Sequence, residues 1–317
     1  MAPGAALRPG GLTKKANTHM ATSPTVSIII PVRNRPALIR RAIETCLAQT
    51  RPAEQIVVVD DGSTDETAAV VEQLRETIDT LVLVRRPVSG GAAVARNSGA
   101  AVATGDYLAF LDSDDEWEPT KLARQMELAA AHPDCPGIFC GILYRYAGRA
   151  ERRLMPPPVV TRRHLEIENT LASTSTGLVR TEAFRTVGGF SEDLPNCEDW
   201  ELWLKLAAIG PLRVVQELLL HYTFDANNKL SRDAEKLLRG HEMVFARIVA
   251  GLPSAAPRRW IAAMHELKRA EQHVRVTGRH AQAWRHLAAA VTRYPSPSVM
   301  KRALHLGLVD IRHGRRN

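Results

Sequence analysis

The chain is poor in cysteine. Its 317 residues hold four, Cys46, Cys135, Cys140 and Cys197, scattered and without close pairing. That excludes a disulfide framework and a zinc ribbon. Long hydrophobic runs are missing too: Val26–Val32, the longest near the start, is far too short to span a bilayer. Residues 1–22 carry Arg8, Lys14 and Lys15 but no apolar stretch behind them, so a secretory signal is also absent. These absences lead to the expectation of a cytoplasmic protein with reduced thiols.

Acidic residues run short in one part of the chain only. Residues 232–317 hold 17 Lys and Arg against 6 Asp and Glu, a surplus of 11, whereas residues 1–231 hold 25 against 28. The formal net charge of +8 therefore belongs to the tail. An anionic membrane surface or nucleic acid suits such a tail. Its basic residues alternate with Ala and Leu at helical spacing, so a solvated helical face is the plain alternative.

The composition is otherwise that of a soluble globular protein, 45% hydrophobic and 24% charged, long enough for a catalytic domain plus an appendage. Residues 1–24 are Gly, Pro, Ala and Lys without periodicity and are expected to be disordered. Residues 25–231 form the expected catalytic domain and 232–317 a basic helical extension. In the extension, 268–294 resembles a single helical hairpin around Gly278, too little for a solenoid that stands alone.

Order begins with the β-branched run VSIIIPV, a buried strand, and a helix is predicted over 36–49 with Pro36 in its first turn. QIVVVD at 55–60 is the next buried strand, and Ser63 with Glu66 has the spacing of a capping box for a helix running to about Ile78. A strand at 81–84, a helix at 92–103 after Gly90-Gly91, and a strand at 106–111 complete a βαβαβαβ alternation. Continuous apolar strands in that order imply a mainly parallel sheet with helices on both faces. Further on, a strand is predicted at 138–146, an irregular Arg- and Pro-rich stretch at 147–168, a helix at 197–208, and a last strand at 214–222.

Open sheets of this kind bind ligands at the carboxyl ends of their strands. Two strands here end in carboxylates: Asp60-Asp61, and Asp112-Ser113-Asp114-Asp115. Carboxylates at i and i+2 suit a hard cation such as Mg²⁺ or Mn²⁺ that keeps positions open for substrate phosphates. An acceptor-only carboxylate at 60–61 suits the N–H of a base or a ribose hydroxyl.

The segments SIIIPVRNRP, IVVVDDGSTDET, GGAAVARNSGAAVATGDYLAFLDSDDEW, GGFSEDL and CEDWELWLKL, in this order, resemble the family 2 glycosyltransferases of GT-A fold. The likeness covers about residues 25–225. It implies an α/β, Rossmann-like nucleotide-diphospho-sugar transferase fold, an inverting reaction, a nucleotide-sugar donor and Mn²⁺ or Mg²⁺. By the same likeness, Pro31, Val32, Arg33 and Asn34 flank the nucleotide. Arg33 stands where many members carry an aromatic, a departure that weakens any preference for uridine. Asp61 reads the base beside Asp60; Gly90, Gly91, Arg96 and Asn97 line the nucleotide pocket. Asp112 and Asp114 form the metal motif, Asp114 as the direct ligand and Asp112, with Ser113, at the ribose or a water-mediated contact; Trp117, directly after them, is the floor of the sugar pocket. Asp199 of the Glu198-Asp199 pair is the base, and Glu198 orients it or binds acceptor. Its place in a first helical turn would lower its pKa and keep it ionised. Trp200 is placed at the acceptor, with core packing as the alternative. His221 is a third metal ligand, and 224–231 a lid.

The resemblance implies a hydroxyl acceptor in a glycan or a lipid-linked precursor of the cell envelope or an exopolysaccharide, with a UDP-sugar as the leading donor. A non-catalytic nucleotide-sugar-binding scaffold of an assembly complex is the alternative. A nucleotidyltransferase is set aside because PVRNRP has no glycine after the first strand, and a processive synthase because a QxxRW segment is missing. Nucleic acid is the lesser partner, and oligomerisation is left open.

Overall fold

The computed structural model describes residues 23–146, 150–224, 234–274 and 280–314. The expectations for 1–22, for most of the lid and for the turn at Gly278 lie outside these residues.

The predicted alternation forms in order. β1 (Val26–Val32), α1 (Pro36–Leu47), β2 (Gln55–Asp61), α2 (Thr67–Arg75), β3 (Leu81–Arg86), α3 (Ala92–Val102) and β4 (Tyr107–Phe110) follow one another. Their strands lie in the order β3-β2-β1-β4, all parallel. β1 buries every residue except Pro31, which is half-buried, as a strand covered on both faces must. The chain steps outward from β1 through β2 to β3, then returns through α3 to the other side of β1. The switch point therefore falls between β1 and β4, and the loops after both strands open into one crevice.

α2 corrects one local expectation. It ends at Arg75, and Ser63 makes no capping box. Ser63 Oγ instead accepts the Asn34 N–H at 2.9 Å, while Asp65 accepts the Thr67 N–H at 3.0 Å. The hydroxyl ties the β1 and β2 loops together rather than closing a helix.

Beyond β4 the sheet turns mixed. β5 (Asp115–Trp117), α4 (Lys121–Ala131), β6 (Gly137–Tyr146), β7 (Arg152–Leu154), β8 (Val159–Val160), α5 (Arg162–Leu165), a single 3-10 turn at Thr174–Thr176, β9 (Leu178–Arg180), α6 (Thr181–Thr186), α7 (Glu198–Ile209) and β10 (Leu212–Phe224) complete the catalytic body. The order continues β4-β9-β6-β10-β5. β9 runs antiparallel to β4 and β6, β5 antiparallel to β10, and β10 parallel to β6. Unbroken parallel pairing thus runs through the first four strands and recurs between β6 and β10, with short antiparallel strands interposed. The stretch expected to be irregular carries β7, β8 and α5.

The tail is α8 (Ala234–Ala250), α9 (Ala255–Gln272), α10 (His280–Arg293) and α11 (Pro297–Gly314). Val244, Ile248 and Ile261 join the core on the α3–α7 side of the sheet, so the tail packs on the catalytic body. At that junction the Trp200 ring stacks 5.7 Å from His265 and lies 4.5 Å from His241. Farther out, α9–α11 close a core of their own around Met264, Leu267, Leu287 and Val299. No helix among the described residues is long and apolar enough to cross a membrane.

Candidate active site

A cleft of about 1320 Å³ opens at the carboxyl ends of β1, β2 and β4. Pro31, Val32, Arg33 and Asn34 form one rim; Asp61, Gly91 and Arg96 form the back; Asp112, Ser113, Asp114, Glu198 and Asp199 face them. Three of the carboxylates assigned to separate roles from sequence, Asp61, Asp114 and Asp199, therefore share one cavity.

Asp61 is held tightly. Its carboxylate accepts the Gly90 and Gly91 N–H groups at 2.9 Å each, the Ser89 hydroxyl at 2.7 Å and Arg86 Nε at 2.9 Å. Burial pushes its pKa up, but these hydrogen bonds outweigh burial and hold it below the usual carboxylate value. Gly91 donates from a left-handed backbone, φ 88°, which glycine adopts without strain and which caps α3. Asp60 lies behind the cleft, buried, accepting the Ser63 N–H at 3.0 Å.

Arg96 lies at the centre. It is buried, with Asp112 Oδ1 at 2.6 Å and Glu198 Oε1 at 2.7 Å. The two carboxylates raise its pKa despite burial, so the guanidinium stays charged. Asp114 pairs with Arg35 Nη1 at 2.9 Å. Burial, then the charge of Asp112, raises the Asp114 pKa. Asp115 is fully buried behind it, accepts the Ser175 hydroxyl at 2.6 Å, and is pushed well above the carboxylate range by burial and by Asp112 and Asp114. The cluster thus carries more negative charge than Arg35 and Arg96 relieve, an arrangement a cation would stabilise.

No group of three or more His, Cys, Asp or Glu side chains among the described residues is arranged to hold a metal by itself. Two carboxylates facing an open cleft fit a cation shared with substrate phosphates. Asp112 and Asp114 are such a pair.

Asp199 departs from its expected electrostatics. It stands in the first turn of α7, where a helix dipole favours the charged form. Burial and the adjacent Glu198 nevertheless push its pKa up to about 7. Its Oδ2 accepts Asn169 Nδ2 at 2.9 Å, which fixes the carboxylate's orientation.

Asn34, Ala172 and Cys197 carry positive φ angles of 53°, 61° and 65° without being glycine. All three line the cleft. Strained backbone of this sort concentrates where side chains are aimed at ligands.

Several sequence assignments fall elsewhere. Trp117 is buried, its indole donating to Ser175 O at 2.9 Å and covered by Lys121 Nζ at 3.9 Å from the ring centre. It does not line the cleft. Trp200 is core, its Nε1 donating to Leu165 O at 2.7 Å. His221 bonds Glu118. It does not line the cleft, although Tyr222 and Thr223 beside it do. Asn97 brackets Phe190, donating to its carbonyl at 2.9 Å and accepting its N–H at 3.0 Å.

Residues not foreseen complete the walls. Arg35, Asn169 and Ser175 hold the acidic groups. Lys236 and Arg239, from tail helix α8, reach the cleft rim and supply cations there. Only the contrast between a basic tail and an acidic body hinted at them.

The chain is similar to an uncharacterized glycosyltransferase of Rickettsia felis, 29% identical over 71% of this chain and 39% of that one. It is also 29% identical, over 71% of this chain and 88% of the other, to TuaG of Bacillus subtilis, named as a teichuronic acid biosynthesis glycosyltransferase. Among solved structures, S. aureus TarS residues 1–349 with UDP-GlcNAc superposes with a TM-score of 0.64 at 20% identity, covering 92% of each chain. The mannosyltransferase PcManGT of Pyrobaculum calidifontis, with GDP-Man and Mn²⁺, gives 0.59 at 22% identity over 91% of this chain and 81% of the other. These two likenesses speak for the fold. Residues 27–188, just over half of the chain, match the model of the family described as Glycosyl transferase family 2. With that match over half of its length, and the curated glycosyltransferase relatives beside it, the chain belongs to glycosyl transferase family 2.

Proposed function

We propose that the protein moves a sugar from a nucleotide-diphosphate donor to an acceptor hydroxyl with inversion at the anomeric carbon. The observation that carries this is the meeting of Asp61, Asp112, Asp114 and Asp199 in one cleft. The nucleotide is assigned to the Pro31–Asn34 rim and the Gly90–Gly91 loop, which Asp61 stiffens. The diphosphate belongs beside the α3 N-terminus and the cations of Arg96, Lys236 and Arg239. Asp112 and Asp114 would hold Mn²⁺ or Mg²⁺, which when bound neutralises charge on the departing diphosphate.

Asp199 is proposed as the base. A group with a pKa near 7 is ionised enough to accept a proton and basic enough to pull on one. It takes the acceptor proton as the new bond to the anomeric carbon forms and the bond to the diphosphate breaks. Asn169 keeps one of its oxygens in place. No enzyme-bound sugar is needed.

A UDP-sugar is the leading donor, and a cell-envelope glycan or its lipid-linked precursor the leading acceptor. TarS bound to UDP-GlcNAc and the naming of TuaG support these choices. A cytoplasmic site, peripheral on the membrane, fits a lipid-linked acceptor. The test is incubation with a panel of nucleotide sugars with and without Mn²⁺, scoring nucleotide release. Release with one donor, dependent on cation and lost in Asp199→Asn, supports the reading; no release with any donor and acceptor pool opposes it.

A further inference from the structure

The tail ends in a face that the proposed chemistry does not use. α11 exposes Met300 and Leu304, 52% and 67% accessible, and α10 exposes Trp284 at 47%. Met300, Leu304 and Gly307 follow helical spacing on one stripe. Trp284 extends that stripe: a Cβ on Gly307 would sit 2.6 Å from its Cη2, so the indole lies over the glycine. The apolar strip therefore crosses from one helix to the other.

The surroundings of the strip are basic. Arg285, Lys301 and Arg302 are exposed and make no ion pair among the described residues. Arg293, by contrast, is engaged by Glu266 at 3.4 Å. Residues 272–309 contain six Lys and Arg and no Asp or Glu, although each of the two preceding helices carries acids. An exposed Trp, Met and Leu in an acid-free stretch, with exposed Arg285 and Lys301 next to them in sequence, matches the requirements of an anionic lipid surface. Apolar groups enter the acyl boundary, indole prefers the interface, and cations meet the headgroups. A nucleic acid would leave Leu304 and Met300 unsatisfied. A second copy of the chain would bring the same cations face to face.

We propose that the α10–α11 face, built on Trp284, Met300 and Leu304 with Arg285 and Lys301, docks the protein on an anionic bilayer surface without spanning it. This deepens the reading of a lipid-linked acceptor and rests on it for its purpose only, because docking is measurable with no transfer reaction. The experiment is co-sedimentation of the full chain with vesicles of phosphatidylcholine alone or with about a third phosphatidylglycerol, in low and high salt. Binding to the anionic vesicles is expected, with a blue shift of Trp fluorescence. Arg285→Gln and Lys301→Gln should each weaken it about fivefold. Met300→Ser/Leu304→Ser should abolish the blue shift while circular dichroism and donor-dependent nucleotide release stay unchanged. The proposal is overturned by equal binding of the wild type and both sets of variants, or by no binding in low salt. It is equally overturned by salt-sensitive binding to duplex DNA that the serine variant leaves intact, or by a dimer that the serine variant dissociates.

Discussion

The Arg96 guanidinium joins Asp112 to Glu198, 2.6 and 2.7 Å away, and so ties the acidic loop after β4 to the first turn of α7. The link spans the cleft between the proposed cation pair and the proposed base. Removing a buried partner of two carboxylates leaves both uncompensated, which costs about 3–5 kcal/mol. Arg96→Ala should lower the unfolding free energy by roughly that amount in urea titration and eliminate nucleotide release. Arg96→Lys should restore part of the stability but not the activity, since a point charge cannot fork to two carboxylates.

Asp199→Asn removes the proposed base while keeping an acceptor oxygen for Asn169. Transfer should fall by about 10²–10⁴-fold with donor affinity nearly unchanged, measured by turnover and by calorimetric donor titration. The wild type should gain activity as pH rises through about 7, because the base works only when ionised. Stability has the opposite sign. A carboxyl with a raised folded pKa loses stabilisation as pH rises above its unfolded value, so the Asn variant should melt at or above the wild-type temperature at pH 8.

Asp114→Ala should abolish the cation dependence of nucleotide binding. Titration of nucleotide with Mn²⁺ present and after chelation reads this directly. Equal nucleotide affinity in the two conditions for the wild type would remove Asp112 and Asp114 from the proposed cation site. The variant should fold at least as well as the parent above pH 5, since burial and Asp112 already disfavour its charge.

Asp61→Asn should cost about 2 kcal/mol, the scale of hydrogen bonds to a charged group, and raise KM for the donor more than it lowers kcat. The depressed folded pKa adds stability above the unfolded carboxyl value that disappears as pH falls through the folded one. The melting-temperature gap between parent and variant should therefore narrow under strong acid.

His241 and His265 sit neutral against Trp200, burial holding their pKa values at about 3 and about 4. Between pH 6.5 and these values the unfolded chain binds protons that the folded chain refuses, so stability falls as pH is lowered. Melting curves from pH 7.5 to 5 should show this, and His241→Phe should flatten the acid limb.

Much of this was legible in the sequence because β1, β2 and β4 are continuous apolar runs that end abruptly in polar clusters. The position of Asp61, Asp112 and Asp114 around one cleft follows from that order. The second half of the sheet was opaque for a physical reason: β5, β7, β8 and β9 have only two or three residues each, too few for any period to show. His221 and Trp117 were misjudged because proximity in sequence does not say which face of a strand a side chain takes. Trp200 followed its helix into the core. Arg35, Asn169 and Lys236 reach the cleft through tertiary packing that no local pattern announces, and the pKa of Asp199 was judged from the helix dipole alone when burial and Glu198 outweigh it.

The two cations that α8 lends to the cleft rim make the tail inseparable from the machinery it follows. A protein cut after β10 would lose Val244, Ile248 and Ile261 from its core and the histidines that cover Trp200, and would present a breach on one side of the cleft, with less positive charge to greet an incoming diphosphate. Any chimera that exchanges the tail to redirect the enzyme to another surface must join downstream of His265, or it will open the core and retune the chemistry along with the address.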